Sequence, residues 1–549
     1  MTDRDALSEL PTHRVENQPP PLPEANSFSS DTPLAQAVAR EAPAWVAGWL
    51  TGLGERTGSA EAAALGWAAN RHPPELQAFD RHGRRIDRVI YHPAYHQLMS
   101  LALGRGVHSI AWRGPGEGGQ VAHVAAIYLL TQAEPGFCCP VTMTHSAIAA
   151  LRREPEVADL WEPMILADDY DPRALPATEK RAVTIGMAMT EKQGGSDVRA
   201  NTTVAEPLAA PDEYRLTGHK WFCSAPMSDA FLTLAQAPDG LTCFLVPRFA
   251  PDATRNPIFI QRLKDKLGNR ANASSEIEYH GAWARRVGEP GRGVATIIEM
   301  VQQTRIDAAT APVALMRQAV VHAVHHARHR RAFGERLLAQ PLMLAVLADL
   351  ALEVEGATAL VMRLAGAFDR AGRDPAERQF ARIATAVTKF WTNKRAAGHI
   401  AEAMECLGGG GYVEESGLPL LYREAPVNGI WEGSGNVICL DVLRALQREP
   451  EAVQALRAEA GQAAGAYPAL DAALAALDAE LADPQPARAR RLTALMALTL
   501  QGSLLLRHAP APVAEAWCAS RLADHPERVW GDLPRGLDLD VILSRAPAG

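Results

Sequence analysis

Apolar side chains recur at i, i+3 and i+4 along residues 34–178, in segments such as LAQAVAREAPAWVAGWLTGLG, PAYHQLMSLALGRGVHSIAW and QVAHVAAIYLLTQAEPG, each bounded by Gly or Pro. Side chains at that spacing share one helix face, so this part predicts a helical unit. Near residue 181 the period shortens. RAVTIGMAMTE, EYRLTGHKWFCSA, AFLTLAQA, LTCFLVPRF and SSEIEYHGAWA are short, β-branched or aromatic, and separated by turn signals such as APDG and KLGNRAN. They predict a small β domain. Helical spacing returns over 292–449 in long segments broken at AFGERLLAQP, AGRDP and LGGGGY, the pattern of an antiparallel bundle of three or four helices. Beyond a hydrophilic break near 448, an Ala- and Leu-rich stretch predicts a further helical part.

The chain therefore reads as an α+β multidomain protein: an extended arm (1–33), a helical domain (34–180), a β domain (181–287), a bundle domain (288–447) and a C-terminal helical extension (448–549). Repeated prolines in PTHRVENQPPPLPEANSFSSDTPL fix φ and remove donors, so the arm is expected to lie along a surface or a neighbouring subunit. At 549 residues with 47% hydrophobic positions, the chain buries a large core. A net charge of −8 offers no global attraction to a polyanion, so a nucleic-acid partner needs a local basic patch. Seven cysteines, odd in number and without C-x-x-C spacing, fit reduced thiols and a cytoplasmic setting better than disulfides or zinc. The opening residues lack an apolar h-region and no stretch holds 18 uninterrupted apolar residues, so neither a signal peptide nor a membrane span is expected.

Three stretches carry candidate chemistry. In GMAMTEKQGGSDVRANTT (186–203) a strand-like run ends at Met189, Thr190 supplies a hydroxyl, and Gly194, Gly195 and Ser196 form a turn whose backbone comes close to a ligand. Exposed amides beside a serine suit a pyrophosphate; a plain glycine hairpin explains the same letters. GHKWFCSAP (218–226) sets Trp221 and Phe222 beside Ser224, a surface for a planar heterocycle or, equally, core packing. GIWEGSGN (429–436) puts one carboxylate, Glu432, between a tryptophan and a Gly-Ser-Gly run. Glu432 is either an acid in a dry site, a cap for a helix starting at Ser434, or a partner of Arg444 or Arg423. His322, His325, His326 and His329 share a helix face, but Arg328, Arg330 and Arg331 oppose a cation, so the helix reads as a basic interface and no metal is expected. WRGPGEGGQ (112–120) follows no strand and precedes no GK[ST], and reads as a loop.

Five stretches resemble, in order, the motifs of acyl-CoA dehydrogenases. MTEKQGGSD resembles TEP-x-AGSD, HKWFCS resembles K-x-W-I-[ST], RRAFG resembles R-x-x-F-G, ECLGGGGY resembles Q-x-x-GG-x-GY, and WEGSGN resembles [YW]-EG-[ST]-x-Q. A closer likeness, to the AidB-like alkylation-response subgroup, is carried by GMAMTEKQGGSDV, RLKDKLGNR, RRIDRVIYHPAYH and LYREAPVN, and spans roughly residues 17–449. The resemblance implies an N-terminal helical domain, a central β-barrel, a C-terminal four-helix bundle and an extra C-terminal helical domain, in an FAD homotetramer with the cofactor at a subunit interface. It implies FAD contacts from Met189, Thr190, Gly195, Ser196, Phe222, Cys223, Ser224, Glu405, Gly409, Trp431, Gly433, Ser434 and Asn436, with Arg330 and Phe333 reaching the FAD of a neighbouring subunit. Phe222 stands where most relatives have Trp, and Glu405 and Asn436 each replace a Gln.

Glu432 falls where the family keeps the base that takes the α-proton of an acyl-CoA thioester while a hydride leaves the β-carbon for flavin N5. Desolvation beside Trp431 raises such a carboxyl toward the working pH. Arg305, Trp431 and Arg444 are the substrate-pocket residues that the resemblance implies. It also implies weak dehydrogenase turnover, a role in the response to DNA alkylation damage, and binding of double-stranded DNA through the extension. Residues 446–549 hold ten basic and thirteen acidic side chains, a net −3, so Arg488, Arg490 and Arg491 form the one local cluster suited to phosphates. Two other readings stand beside this one: a conventional short- or branched-chain acyl-CoA dehydrogenase, and a non-enzymatic flavoprotein that shields DNA.

Overall fold

Asp31 ends the arm by accepting the Leu34 amide at 3.1 Å, and Pro33 enters the first turn with its φ already helical, so helix α1 (Thr32–Glu41) begins there. In the computed structural model, which describes residues 7–113, 117–523 and 529–546, α2 (Ala44–Thr57) and α3 (Ala60–Arg71) follow. Residues 114–116 of the glycine-rich loop, 1–6 of the arm, and 524–528 and 547–549 of the extension lie outside the described residues. Next comes an antiparallel hairpin, β1 (Glu75–Phe79) and β2 (Arg85–Ile90), in register from Glu75 opposite Ile90. The hairpin is an insertion in the N-terminal helical domain that the helical spacing does not announce. It clips this unit to the barrel: Arg85 donates to the Ile260 carbonyl at 2.6 Å and Arg255 pairs with buried Asp87 at 2.9 Å.

Helices α4 (Pro93–Gly104), α5 (Ile110–Arg113), α6 (Gly119–Ala133), α7 (Cys138–Leu151) and α8 (Pro155–Ile165) complete the N-terminal unit. Every residue of α6 from Gly119 to Thr131 is buried, as expected for a helix apolar on all sides. It packs on α2 and on two bundle helices described below.

The middle segment forms β3 (Ile185–Ala188), β4 (Val204–Pro207), β5 (Glu213–Ser224), β6 (Ala230–Ala237), β7 (Gly240–Pro247), β8 (Ile258–Leu263) and β9 (Ser274–Val287). Pairing runs β6–β4–β5–β9–β7 and returns to β6, a closed barrel, with β3 added parallel to β6 and β8 antiparallel to β9. Closure leaves few free strand edges. The register of β5 against β9 shifts between Lys220 and Cys223. This irregularity leaves Trp221 and Phe222 both outside the barrel, between the inward Lys220 and Cys223.

The bundle consists of α9 (Gly293–His329), α10 (Pro341–Arg370) and α11 (Pro375–Cys406), with α12 (Leu418–Asn428) and α13 (Gly435–Arg448) sharing the fourth position against α11. The turn between α12 and α13 carries Glu432. Between α9 and α10 a short hairpin, β10 (Arg331–Ala332) and β11 (Glu335–Arg336), holds Phe333 98% exposed at its tip. The arm lies on the end of α9, where Arg330 donates to the Asn17 carbonyl at 2.6 Å and His325 meets the Pro20 carbonyl at 2.8 Å.

The extension, α14 (Pro450–Ala460), α15 (Pro468–Ala482), α16 (Ala489–His508), α17 (Ala511–Arg521) and α18 (Leu539–Ser544), is docked on the bundle and does not hang from it. Trp517 is fully buried against Gly356, where an added Cβ would fall 2.6 Å from the indole nitrogen. Buried ion pairs cross the junction, Arg363 to Glu459 at 2.9 Å and Arg521 to Asp349 at 2.5 Å.

Candidate active site

One wall of the site is the loop after β3, and a single buried acid organises it. Glu191 accepts Lys220 Nζ at 2.8 Å, the Thr202 amide at 2.7 Å, and both the Thr203 amide at 3.2 Å and its hydroxyl at 2.6 Å. Burial alone raises this carboxyl, but Lys220 and the hydrogen bonds of Thr202 and Thr203 hold it down to about 2. Asn201 ties the loop's other end by donating to the Met189 carbonyl at 2.9 Å. Within the loop Gly195 is required. A Cβ there would lie 2.5 Å from the Thr190 hydroxyl, so the missing side chain lets the loop pack closely on Thr190 while Thr190, Gly195 and Ser196 all line the cleft.

The opposite wall is the turn from Gly429 to Ser434. Glu432 adopts a left-handed conformation, φ 57°, a strained state for a residue with a Cβ, and Gly433 follows at φ 105°. Two buried cations hold this turn by its carbonyls. Arg305 Nε donates to the Glu432 carbonyl at 3.0 Å, and Lys389 Nζ to the Gly433 carbonyl at 2.8 Å and the Asn428 carbonyl at 3.2 Å. Trp431 donates its indole N–H to Asn428 Oδ1 at 3.1 Å. The Glu432 carboxyl has one oxygen, Oε2, shut from solvent with no hydrogen-bond partner. Burial raises its pKa, opposed by the Thr304 hydroxyl and the charges of Arg305 and Lys389.

The bland readings of Glu432 do not hold. Ser434 is the N-cap of α13 and no side chain caps that helix. Arg423 is bound to Glu414, and Arg444 faces Asp441 at 3.6 Å.

Between these walls lies a cleft of about 1840 Å³. It brings together Met189, Thr190, Gly195, Ser196, Phe222, Ser224, Arg305, Trp431, Glu432, Gly433, Ser434 and Arg444. The Cys223 side chain does not join them, because it points into the barrel, where it is fully buried. Arg330, Phe333, Glu405 and Gly409 stand apart from the cleft on the surface of this chain. Asn436 is also outside the lining and accepts Arg490 at 3.0 Å. Arg490 therefore faces the start of α13, while Arg488 and Arg491 both pair with Glu480.

Several residues in or beside the cleft stand outside the five dehydrogenase motifs. Lys266, lowered to about 8 by burial, donates to the Asn272 carbonyl at 2.7 Å and the Ser274 hydroxyl at 2.9 Å. Thr142 donates to Asp307 at 2.7 Å, and His123 meets the same carboxyl at 3.1 Å. Asp441, buried, receives Arg305 and Arg382, each at 3.2 Å. Only the i, i+3, i+4, i+7 run of Thr304, Asp307, Ala308 and Ala311 on α9 hinted at a lining face. Among the described residues no group of three or more His, Cys, Asp or Glu is placed to hold a metal.

Three family models match the chain in succession: adaptive response protein AidB N-terminal domain over residues 17–172, acyl-CoA dehydrogenase middle domain over 186–282, and acyl-CoA dehydrogenase C-terminal domain over 291–447. The chain is 47% identical over 509 residues to the putative acyl-CoA dehydrogenase AidB of Escherichia coli (strain K12), covering 92% of this chain and 94% of that protein. Acyl-CoA dehydrogenase family member 11 of Caenorhabditis elegans is 34% identical over 438 residues, covering 76% and 70%. Among solved structures, Caenorhabditis elegans ACDH-11 in complex with C11-CoA superposes with a TM-score of 0.86 at 28% identity over 95% of each chain. Butyryl-CoA dehydrogenase from Megasphaera elsdenii shares the fold at a TM-score of 0.59, with 19% identity over 76% of this chain and 98% of that one.

Lys220→Met leaves Glu191 charged and buried without its ammonium, and is expected to cost about 3–5 kcal/mol in urea unfolding. Adding Glu191→Gln is expected to recover part of that loss, because the stranded charge is then gone.

Proposed function

The chain belongs to the acyl-CoA dehydrogenase family of FAD-dependent oxidoreductases, in its AidB-like branch, and from that premise we propose that Glu432 accepts the α-proton of an acyl-CoA thioester. The observation that carries this reading is the unpartnered, water-excluded Oε2 of Glu432 at the wall of the cleft. A carboxylate without solvent is a stronger base than its ordinary counterpart and needs no competing hydrogen bond broken before it reacts.

The cleft fits the cofactor: a glycine turn with the Ser196 hydroxyl beside it, an aromatic face at Phe222, half-exposed at 51%, and Ser224 two residues further along the strand, all on its lining. Met189, Thr190 and Ser196 would hold FAD from the barrel side, with Trp431, Gly433 and Ser434 from the bundle side. FAD, when bound, supplies the acceptor for the hydride that leaves the substrate β-carbon. Arg305 keeps Glu432 in place through its backbone carbonyl, and burial keeps water from the proton's destination at Oε2. Arg444, with 60% of its side chain exposed at the cleft, is suited to the polar part of the thioester.

The protein is proposed to assemble as a homotetramer, which would bring Arg330, exposed Phe333, Glu405 and Gly409 of one copy to the cofactor of another. Seven free thiols suit a cytoplasmic setting, and among the described residues no helix is long and apolar enough to cross a membrane. A role in the response to DNA alkylation damage is supported by the AidB-like N-terminal domain and by the 47% identical relative. Contact with double-stranded DNA would use Arg488 and Arg491, with Arg490 beside them. Since both pair with Glu480, phosphate binding has to displace that carboxylate.

Anaerobic addition of short and branched acyl-CoAs to the flavin-loaded protein is expected to bleach the flavin slowly. In Glu432→Gln, flavin binding is expected to persist and bleaching to fall by about 10²–10⁴-fold. Undiminished bleaching would remove Glu432 from the reaction; rapid bleaching of the unmodified protein would favour a conventional dehydrogenase. Duplex binding measured against salt is expected to weaken steeply, and Arg488→Ala with Arg491→Ala to lower the slope by about one to two. No bleaching together with salt-sensitive duplex binding would favour a DNA-shielding flavoprotein.

A further inference from the structure

The motifs leave Lys389 unexplained. It sits in the middle of α11, 2% exposed, on the far side of the Glu432 turn from the cleft opening. Burying an ammonium is costly unless its donors are used and its charge is met. Its donors go to the carbonyls of Asn428, the last residue of α12, and Gly433, the residue after Glu432. One side chain therefore ties together the two ends of the turn, and Arg305 holds the carbonyl between them. Without the Lys389 ammonium the Asn428 and Gly433 carbonyls would lose this donor inside the protein, beside a residue held at positive φ.

We infer that Lys389 is a positioning residue for the reaction, fixing the Glu432 carboxyl toward the cleft through the turn's backbone and supplying the positive charge against which that carboxyl ionises. The inference rests on the reading of Glu432 as proton acceptor. A neutral donor would satisfy the carbonyls equally well, so the charge needs its own reason. The groups that face this pair are few: Arg305 from α9, Lys394 from the next turn of α11, Cys139 from α7, and Asp441 of α13, which is taken up by Arg305 and Arg382. The Glu432 carboxylate is the one acid that acts on Lys389 directly. Burial lowers the ammonium to about 7, with Glu432 opposing that fall and Arg305 and Lys394 adding to it. The two side chains thus lose their mutual support if either is neutralised: a neutral Lys389 leaves the Glu432 anion less stabilised and moves its titration upward.

The test uses Lys389→Met, Glu432→Gln and the double variant, with two readouts. In the flavin-loaded protein, the pH profile of anaerobic bleaching by a short acyl-CoA is expected to have its acidic limb shifted upward by about one unit or more in Lys389→Met. In the cofactor-free protein, thermal unfolding near neutral pH is expected to show Lys389→Met strongly destabilised, and the double variant recovering a large part of that loss. If Lys389→Met does not fold, the double variant alone decides, since removal of the stranded carboxylate is then expected to restore folding. An unmoved acidic limb with additive melting temperatures would overturn the inference, as would a double variant no more foldable than Lys389→Met. Retained bleaching in Glu432→Gln would instead strike the underlying reading, so the two failures are distinct.

Discussion

The site depends on a carboxylate held where neither water nor a comfortable backbone would put it. Glu432 is at positive φ in a turn that interrupts the fourth position of the bundle, and one of its oxygens is sealed off without a partner. Strain of this kind costs on the order of 1–3 kcal/mol and persists only where the surroundings over-determine it. Here they do so through two buried cations on different helices that grip consecutive carbonyls. The bundle is therefore more than a scaffold: α9 and α11 set the conformation of one residue between α12 and α13.

The facing wall follows the same logic with the signs exchanged. On the barrel side a buried acid, Glu191, gathers backbone amides, hydroxyls and an ammonium, and by doing so fixes the loop that brings Thr190, Gly195 and Ser196 to the cleft. Each wall of the cleft is thus anchored by buried ionic groups of the protein itself. The extension adds a further constraint. Arg490 reaches Asn436 at the start of α13, so the last hundred residues touch the segment that follows Glu432.

Much of this was legible in the residues. The change from helical spacing to short β-branched runs and back marks the barrel, and TEKQGGSD, HKWFCS and WEGSGN lie on the cleft where their chemistry suggested. What failed to show has physical reasons. Strands β1 and β2 are short and flanked by Arg, His and Asp, so no apolar run signals them. The resemblance alone implied Cys223, and the register shift that turns Trp221 and Phe222 outward while Cys223 stays buried has no signature in the letters HKWFCS. Lys389 and Asp441 read as ordinary helix-surface charges; only packing reveals that they meet Arg305, far away in the chain, around one turn. The arginines of ARARR look like a phosphate site in sequence, but in the fold Glu480 and Asn436 claim them.

The central claim is that Glu432 is desolvated and poised as a base. An isotope-edited infrared titration of the carboxyl band, with Glu432→Gln as the subtraction, reads that directly. The account predicts a protonated carboxyl that persists above the ordinary glutamate value of 4.5. A band that titrates at or below 4.5 would mean that burial does not prevail over Thr304, Arg305 and Lys389, and would contradict it.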